Sequence, residues 1–360
     1  MNRRDFITGT GAALGTAALF SSTALAQSGA KPGKIKIGQI GTGHAHAAGK
    51  LASFRKLTDH YEVVGVVEPD AKKREAAQRD KSYEGVNWLT EEQLLNTKGL
   101  QAVAVETEVK DLLATAEKCI TAGKHIHLDK PAGEKFSYFK RIVESARKQK
   151  LTIQMGYMLR YNPGLQLCYR AAQEGWLGRV FSIEAAMSKA LPAAARESLK
   201  RYPGGALFEL GCHVLDSAIY VLGKPQKVTA YNRSSSAVND GFMDNQYAVL
   251  EYPHATAIIH SALIEVGGEA RRQFTVSGEQ GTVEVRPLEA PKVRMALDRV
   301  QANYKKGWQD VEMPKTTGRY DGEFLDLAAV IRGEKSFAWS YDHDLAVQET
   351  LLKASGLPVD

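Results

Sequence analysis

Between residues 34 and 155 the chain alternates short β-branched apolar runs with stretches of helical character. Strands are expected at 34–40, 61–67, 100–105, 125–128 and 151–155, with helices at 45–57, 70–79, 111–122 and 136–148 between them. Such alternation restricts the architecture to a parallel sheet covered by helices on both faces. The pattern changes after Gly156. Helices are expected at 164–174 and 206–222, and strands at 180–187, 227–232, 246–252, 256–264, 273–277 and 282–285. Consecutive strands joined by short turns predict an open, largely antiparallel sheet. Two late helices, 322–332 and 343–353, close the chain. The expected class is therefore α/β, with an N-terminal parallel-sheet domain and a C-terminal α+β domain.

Composition narrows the function classes. The 360 residues carry 47 Lys plus Arg against 41 Asp plus Glu, a net charge of +6, with no long basic run, so a nucleic-acid tract is not expected. Cys119, Cys168 and Cys212 form neither a disulfide framework nor a zinc-binding spacing. At the N-terminus, Arg3-Arg4-Asp5-Phe6-Ile7 precedes a mildly apolar stretch that ends in Ala24-Leu25-Ala26. This is the shape of a signal peptide, and the paired arginines resemble a twin-arginine export signal. Residues 1–26 are expected to direct export through the twin-arginine machinery to the periplasm or the extracellular space. Gly, Ser and Thr dilute the stretch below the roughly 20 strongly apolar residues of a stable membrane anchor.

Gly41-Thr42-Gly43 stands between a predicted strand and a predicted helix. In that context the first glycine permits a tight turn. The second lets backbone approach a pyrophosphate at a helix N-terminus. His46 occupies the third fingerprint position. Glu68 ends the second predicted strand, where a carboxylate accepts from the ribose hydroxyls of NAD and repels the extra phosphate of NADP. NAD is the expected cofactor. Lys72, Lys73 and Arg74 nearby leave NADP open.

At Asp129-Lys130-Pro131 the chain resembles the Gfo/Idh/MocA oxidoreductases, the family of glucose–fructose oxidoreductase and inositol dehydrogenase. The resemblance rests on the strand–Gly41-x-Gly43–helix start and on Ala122-Gly123-Lys124-His125 leading to Lys130-Pro131. It rests also on Arg160-Tyr161-Asn162-Pro163, and on Gly204-Gly205 followed by Glu209-x-Gly211-x-His213-x-x-Asp216. It implies a Rossmann domain over 34–155 and a substrate and oligomerisation domain over 156–360. It also implies a sugar or polyol substrate, and a homodimer or tetramer packed through the open sheet.

The resemblance further implies that Lys130 touches the reacting hydroxyl and that His213 exchanges its proton. Chemistry supports both roles. Hydride loss from an alcohol requires a base within hydrogen-bond reach, and histidine serves in both directions near neutral pH. An ammonium stabilises the developing alkoxide. On a regular helix Glu209, His213 and Asp216 share one face. Glu209 either tunes His213 or binds a sugar hydroxyl, and Asp216 reads as structural. Arg160 either clamps substrate or pins the domain junction, and Tyr157 and Asn162 are further pocket candidates.

His44 and His46 are expected at the nicotinamide edge or the substrate. Together with His125 and His127 they raise the question of a metal, but the spacing is poor and none is expected. Thr107 matches a family threonine beside the cofactor. Two alternatives share the scaffold: an NAD-dependent glycoside hydrolase working through transient oxidation, and a non-catalytic sugar-binding protein.

Overall fold

A computed structural model describes residues 33–360 except 201, 239 and 316. The expected export segment, 1–26, lies outside the described residues. The first part of the chain runs β1 (Ile35–Ile40), α1 (Ala47–Lys56), β2 (Tyr61–Val67), α2 (Ala71–Gln78), α3 (Glu91–Leu95), β3 (Leu100–Val105), α4 (Val109–Thr121), β4 (His125–Leu128), α5 (Phe136–Gln149) and β5 (Ile153–Met155). The five strands form one wholly parallel sheet in the order β2-β1-β3-β4-β5. Strand order reverses between β1 and β3, so a ligand crevice is expected at their carboxyl ends. Residues 102–105 of β3 are fully buried, as a central strand covered on both faces requires.

The second part contains α6 (Pro163–Gln173), β6 (Val180–Ala186), α7 (Ala193–Leu199), α8 (Cys212–Leu222), β7 (Lys227–Arg233), β8 (Asn245–Glu251), β9 (Thr256–Ala262), β10 (Gln273–Gly278), β11 (Gly281–Val285), β12 (Val293–Leu297), β13 (Gly307–Val311), α9 (Asp321–Ile331) and α10 (Tyr341–Ala354). Asn162 caps α6 by accepting from the Gly164 and Leu165 amides, and Pro163 occupies the first helical position. The eight strands lie in the order β13-β12-β11-β10-β6-β9-β8-β7, antiparallel except for β6 with β9. Alternation sends Ile183, Ala185, Ala257, Ile259, Phe274 and Val276 into the core. Tyr231, Tyr247, Ile258 and Trp308 stay exposed.

Several features depart from the sequence expectation. Strands β12 and β13 and helices α3 and α7 are additional. The single helix expected over 206–222 is interrupted, because residues Leu207–Gly211 form a π-turn before α8 begins at Cys212. Single π-turns inside helices occur frequently at functional sites. Among the described residues, no helix is long and apolar enough to cross a membrane.

Candidate active site

The carboxyl ends of the parallel strands bring the predicted residues together. Gly41 follows β1 with φ of +92°, and a Cβ there would lie 2.5 Å from the Thr107 backbone nitrogen, so only glycine lets the two loops approach this closely. Glu68 follows β2 and accepts from both the backbone amide and the hydroxyl of Thr42, each at 2.8 Å. The carboxylate therefore holds the glycine turn as well as standing at the ribose position. Thr107 Oγ1 is buried with no hydrogen-bond partner. The cradle, the buried carboxylate and this orphaned hydroxyl together fit a dinucleotide. Gly41, Thr42, Gly43, Glu68 and Thr107 would hold it. Glu68→Ala is expected to weaken NADH binding about tenfold, through loss of a charged acceptor, and to narrow the preference over NADPH. Titration of the cofactor's fluorescence measures both.

His44 is buried. Its Nδ1 lies 2.7 Å from Asp129 Oδ2 and its Nε2 3.2 Å from the Lys130 carbonyl oxygen. It ties the glycine loop to the loop carrying Lys130. His46 also reaches Asp129, at 3.3 Å, and its ring neighbours Tyr320. Burial lowers the His46 pKa to about 4, so it is neutral near pH 7.

Beneath these histidines lies a charge cluster that the sequence reading missed. Lys50, on α1, is fully buried, 2.9 Å from Asp129 Oδ2 and 3.3 Å from Glu106 Oε1. Burial would raise the Asp129 pKa, but His44, Lys50 and His46 hold it well below the usual carboxylate range. Burial raises the Glu106 pKa well above that range and lifts Glu323 to about 8. His44, His46 and Asp129 are grouped closely enough to suggest a metal. The Lys50 ammonium already sits on that carboxylate, however, and supplies the positive charge. The spacing of His46 and Lys50, one helical turn apart, was the available sequence signal. His125 accepts from the Thr152 amide, while His127 contacts Gln154 and lies 3.9 Å from Glu106 of the cluster.

Lys130 follows β4 and is 2% exposed; its ammonium donates to the Glu209 carbonyl oxygen within the π-turn. Burial opposes its charge, but Cys212, Glu209 and Asp129 raise its pKa on balance, so it remains an ammonium. Burial would likewise raise the Glu209 pKa, yet Lys130 and Lys189 lower it and keep the carboxylate ionised. Glu209 Oε2 is buried and accepts no hydrogen bond. His213 opens α8, packed edge-on against Tyr157 with ring centroids 5.9 Å apart. Its Nδ1 is buried and unpartnered. Burial, reinforced by Lys130 and His46, pushes its pKa well below 6.5. The site thus pairs a cation with a neutral imidazole that has an open nitrogen.

The structure separates Arg160 from this group. Its guanidinium is fully buried and donates to both oxygens of Asp216, at 2.7–3.3 Å, and to Asp344 at 2.5 Å. His343 contacts the same Asp216 at 2.9 Å. Of the two roles open to Arg160 it performs the pinning one, joining α8 to α10. Asp216 is structural, its carboxylate being bonded to Arg160 and His343, whereas Glu209 and His213 both feel the Lys130 charge. Tyr157 is 1% exposed, with the Arg160 guanidinium over its ring. Its ring buttresses His213. Asn162 is spent on the α6 cap and the Leu288 carbonyl.

A parallel sheet with a glycine turn, a carboxylate after the second strand, and a lysine–histidine pair at the sheet edge defines a dinucleotide-binding oxidoreductase. Two family descriptions match: "Oxidoreductase family, NAD-binding Rossmann fold" over residues 35–157, and "GFO/IDH/MocA C-terminal domain" over 165–284. The chain belongs to the Gfo/Idh/MocA oxidoreductases. It is 24% identical over 197 residues to trans-1,2-dihydrobenzene-1,2-diol dehydrogenase of Bos taurus, a match covering 54% of this chain and 57% of that protein. It is 22% identical over 299 residues to inositol 2-dehydrogenase of Salmonella paratyphi B, covering 82% of this chain and 84% of that one. The aldose-aldose oxidoreductase of Caulobacter crescentus, complexed with glycerol, shares the fold. Its TM-score is 0.75 at 19% identity, covering 90% of this chain and 98% of that chain.

Proposed function

We propose that this protein oxidises a secondary hydroxyl of a sugar or polyol, with NAD as hydride acceptor, in an exported compartment. The observation that carries the reading is the pairing of a buried Lys130 ammonium with a neutral His213 whose Nδ1 is open. His213 accepts the hydroxyl proton, and Lys130 stabilises the oxygen as negative charge develops. The bound nicotinamide supplies the hydride-accepting carbon. Relatives named for diol and inositol oxidation support a polyol substrate.

A base must be neutral to act. Because the His213 pKa is depressed, its neutral form persists as pH falls through 6.5. The acid limb of kcat/KM for oxidation is therefore expected below pH 6.5, and His213→Asn should remove it while lowering kcat by about 100-fold or more. An acid limb at or above 6.5, or one that survives in the variant, contradicts the assignment.

Export and cofactor retention belong to the same reading. The Arg3-Arg4 pattern supports a route that carries folded protein, so NAD is loaded before export, stays bound and is recycled between two sugars. Mass spectrometry of ligand released on denaturing the desalted, exported protein tests this, and absence of any nucleotide removes it. A homodimer across the face carrying Tyr231, Tyr247 and Trp308 completes the reading, and a monomer in analytical ultracentrifugation removes that part.

A further inference from the structure

Lys189, just beyond β6, was not among the residues picked out from sequence. Its side chain is 25% exposed, and its ammonium lies 3.8 Å from Glu209 Oε2. That oxygen is buried and has no hydrogen-bond partner. A separation of 3.8 Å is too long for a hydrogen bond between the two groups. It does suit a third atom between them, since an oxygen about 2.8 Å from both completes a normal bond to each. The inserted atom must donate to a carboxylate and accept from an ammonium. A hydroxyl does both at once, whereas an ether, a ketone or an amine cation cannot.

We propose that Lys189 and Glu209 form a second-hydroxyl subsite, which grips the hydroxyl on the carbon next to the one being oxidised and makes the enzyme selective for vicinal diols. The inference rests on the dehydrogenase reading above. The Lys130 ammonium is bonded to the backbone carbonyl of Glu209, and Lys130 and Lys189 both act on the Glu209 carboxylate, so the subsite lies beside the group at the reacting oxygen. The charges are those required: Glu209 is ionised, and Lys189, although burial and Lys130 lower its pKa, is stabilised as a cation by Glu209. Lys189 is a specificity-determining residue in this arrangement, and proton exchange stays with His213.

The test measures single-turnover reduction of the NAD bound to the full chain, with myo-inositol and D-glucose and with their monodeoxy analogues. For the parent compound that is oxidised, wild type should lose about tenfold or more in kcat/KM when the hydroxyl adjacent to the reacting carbon is removed, the size of a charge-assisted hydrogen bond. Lys189→Met should lose a large part of that discrimination, since only the Glu209 carboxylate still grips the hydroxyl, and Lys189→Arg should restore part of it. Wild type indifferent to the adjacent hydroxyl, or Lys189→Met keeping the full penalty, overturns the subsite and leaves the dehydrogenase reading standing. Failure of wild type to reduce NAD with either parent overturns the dehydrogenase reading and the subsite with it.

Discussion

Lys130→Met should lower kcat for polyol oxidation by roughly 100- to 1,000-fold while leaving NADH affinity within about twofold of wild type. The ammonium is buried, is held as a cation by Cys212, Glu209 and Asp129, and stands at the carboxyl end of β4. In that setting its interaction with a developing alkoxide is little screened, so removing it raises the barrier far more than loss of an exposed charge would. Methionine keeps the length and apolar bulk of the side chain. The cofactor cradle is built from other loops, those of Gly41, Glu68 and Thr107, so cofactor affinity should survive. Single-turnover kinetics with NADH binding measured alongside separate the two effects. A variant with unchanged kcat removes Lys130 from the chemistry. One that no longer binds NADH shows that the loop, not the charge, was disturbed.

The second large effect is on stability. Arg160→Met should destabilise the fold by about 3–5 kcal/mol, the cost of stranding buried charges. The substitution leaves Asp216 and Asp344 in the interior, both almost fully buried, with His343 the remaining contact of Asp216. Arg160→Lys should recover only part of the loss, because an ammonium cannot reproduce the forked donation to Asp216. Chemical denaturation followed by circular dichroism reads the change. If Arg160→Met instead unfolded at the wild-type midpoint and raised KM, Arg160 would be a substrate clamp, the other role its sequence context allowed.

Much of the architecture was legible in the chain. The N-terminal strands announce themselves as short, largely apolar runs, most with glycine or proline close behind, and each of these five strands lies within a few residues of its expected span. Strand β13 was not legible, because Gly-Trp-Gln-Asp-Val is short and lacks a buried apolar face, as an edge strand exposed to solvent can. Strand β12 alternates Val293, Met295 and Leu297 toward the core, but at five residues the signal is short. The π-turn at Leu207–Gly211 was invisible for a different reason. Leu207, Phe208, Glu209 and Leu210 are all compatible with an ordinary helix, so nothing in them marks the extra residue per turn.

The site divides in the same way. Gly41, Glu68, Lys130 and His213 lie at strand ends or beside glycine motifs, where local sequence marks them. Lys50, Glu106 and Glu323 are buried charges that meet across widely separated segments, and each alone looks like a solvent-facing residue. Lys189 becomes meaningful only once Glu209 Oε2 is seen to lack a partner. His44 is marked by its place after the glycine turn, but its contacts with Asp129 and the Lys130 carbonyl are long-range and were not legible.

The central claim is that Lys130 and His213 together remove a proton from a polyol hydroxyl while its hydride goes to NAD. Its most direct measurement uses myo-inositol and D-glucose deuterated at each hydroxyl-bearing carbon, incubated with the full chain and NAD, with mass spectrometry of the nicotinamide. Transfer of deuterium from one specific carbon to the cofactor in wild type, reduced at least about 100-fold in both Lys130→Met and His213→Asn, is the predicted result. No deuterium on the cofactor from any position, or equal transfer in the variants, would contradict it.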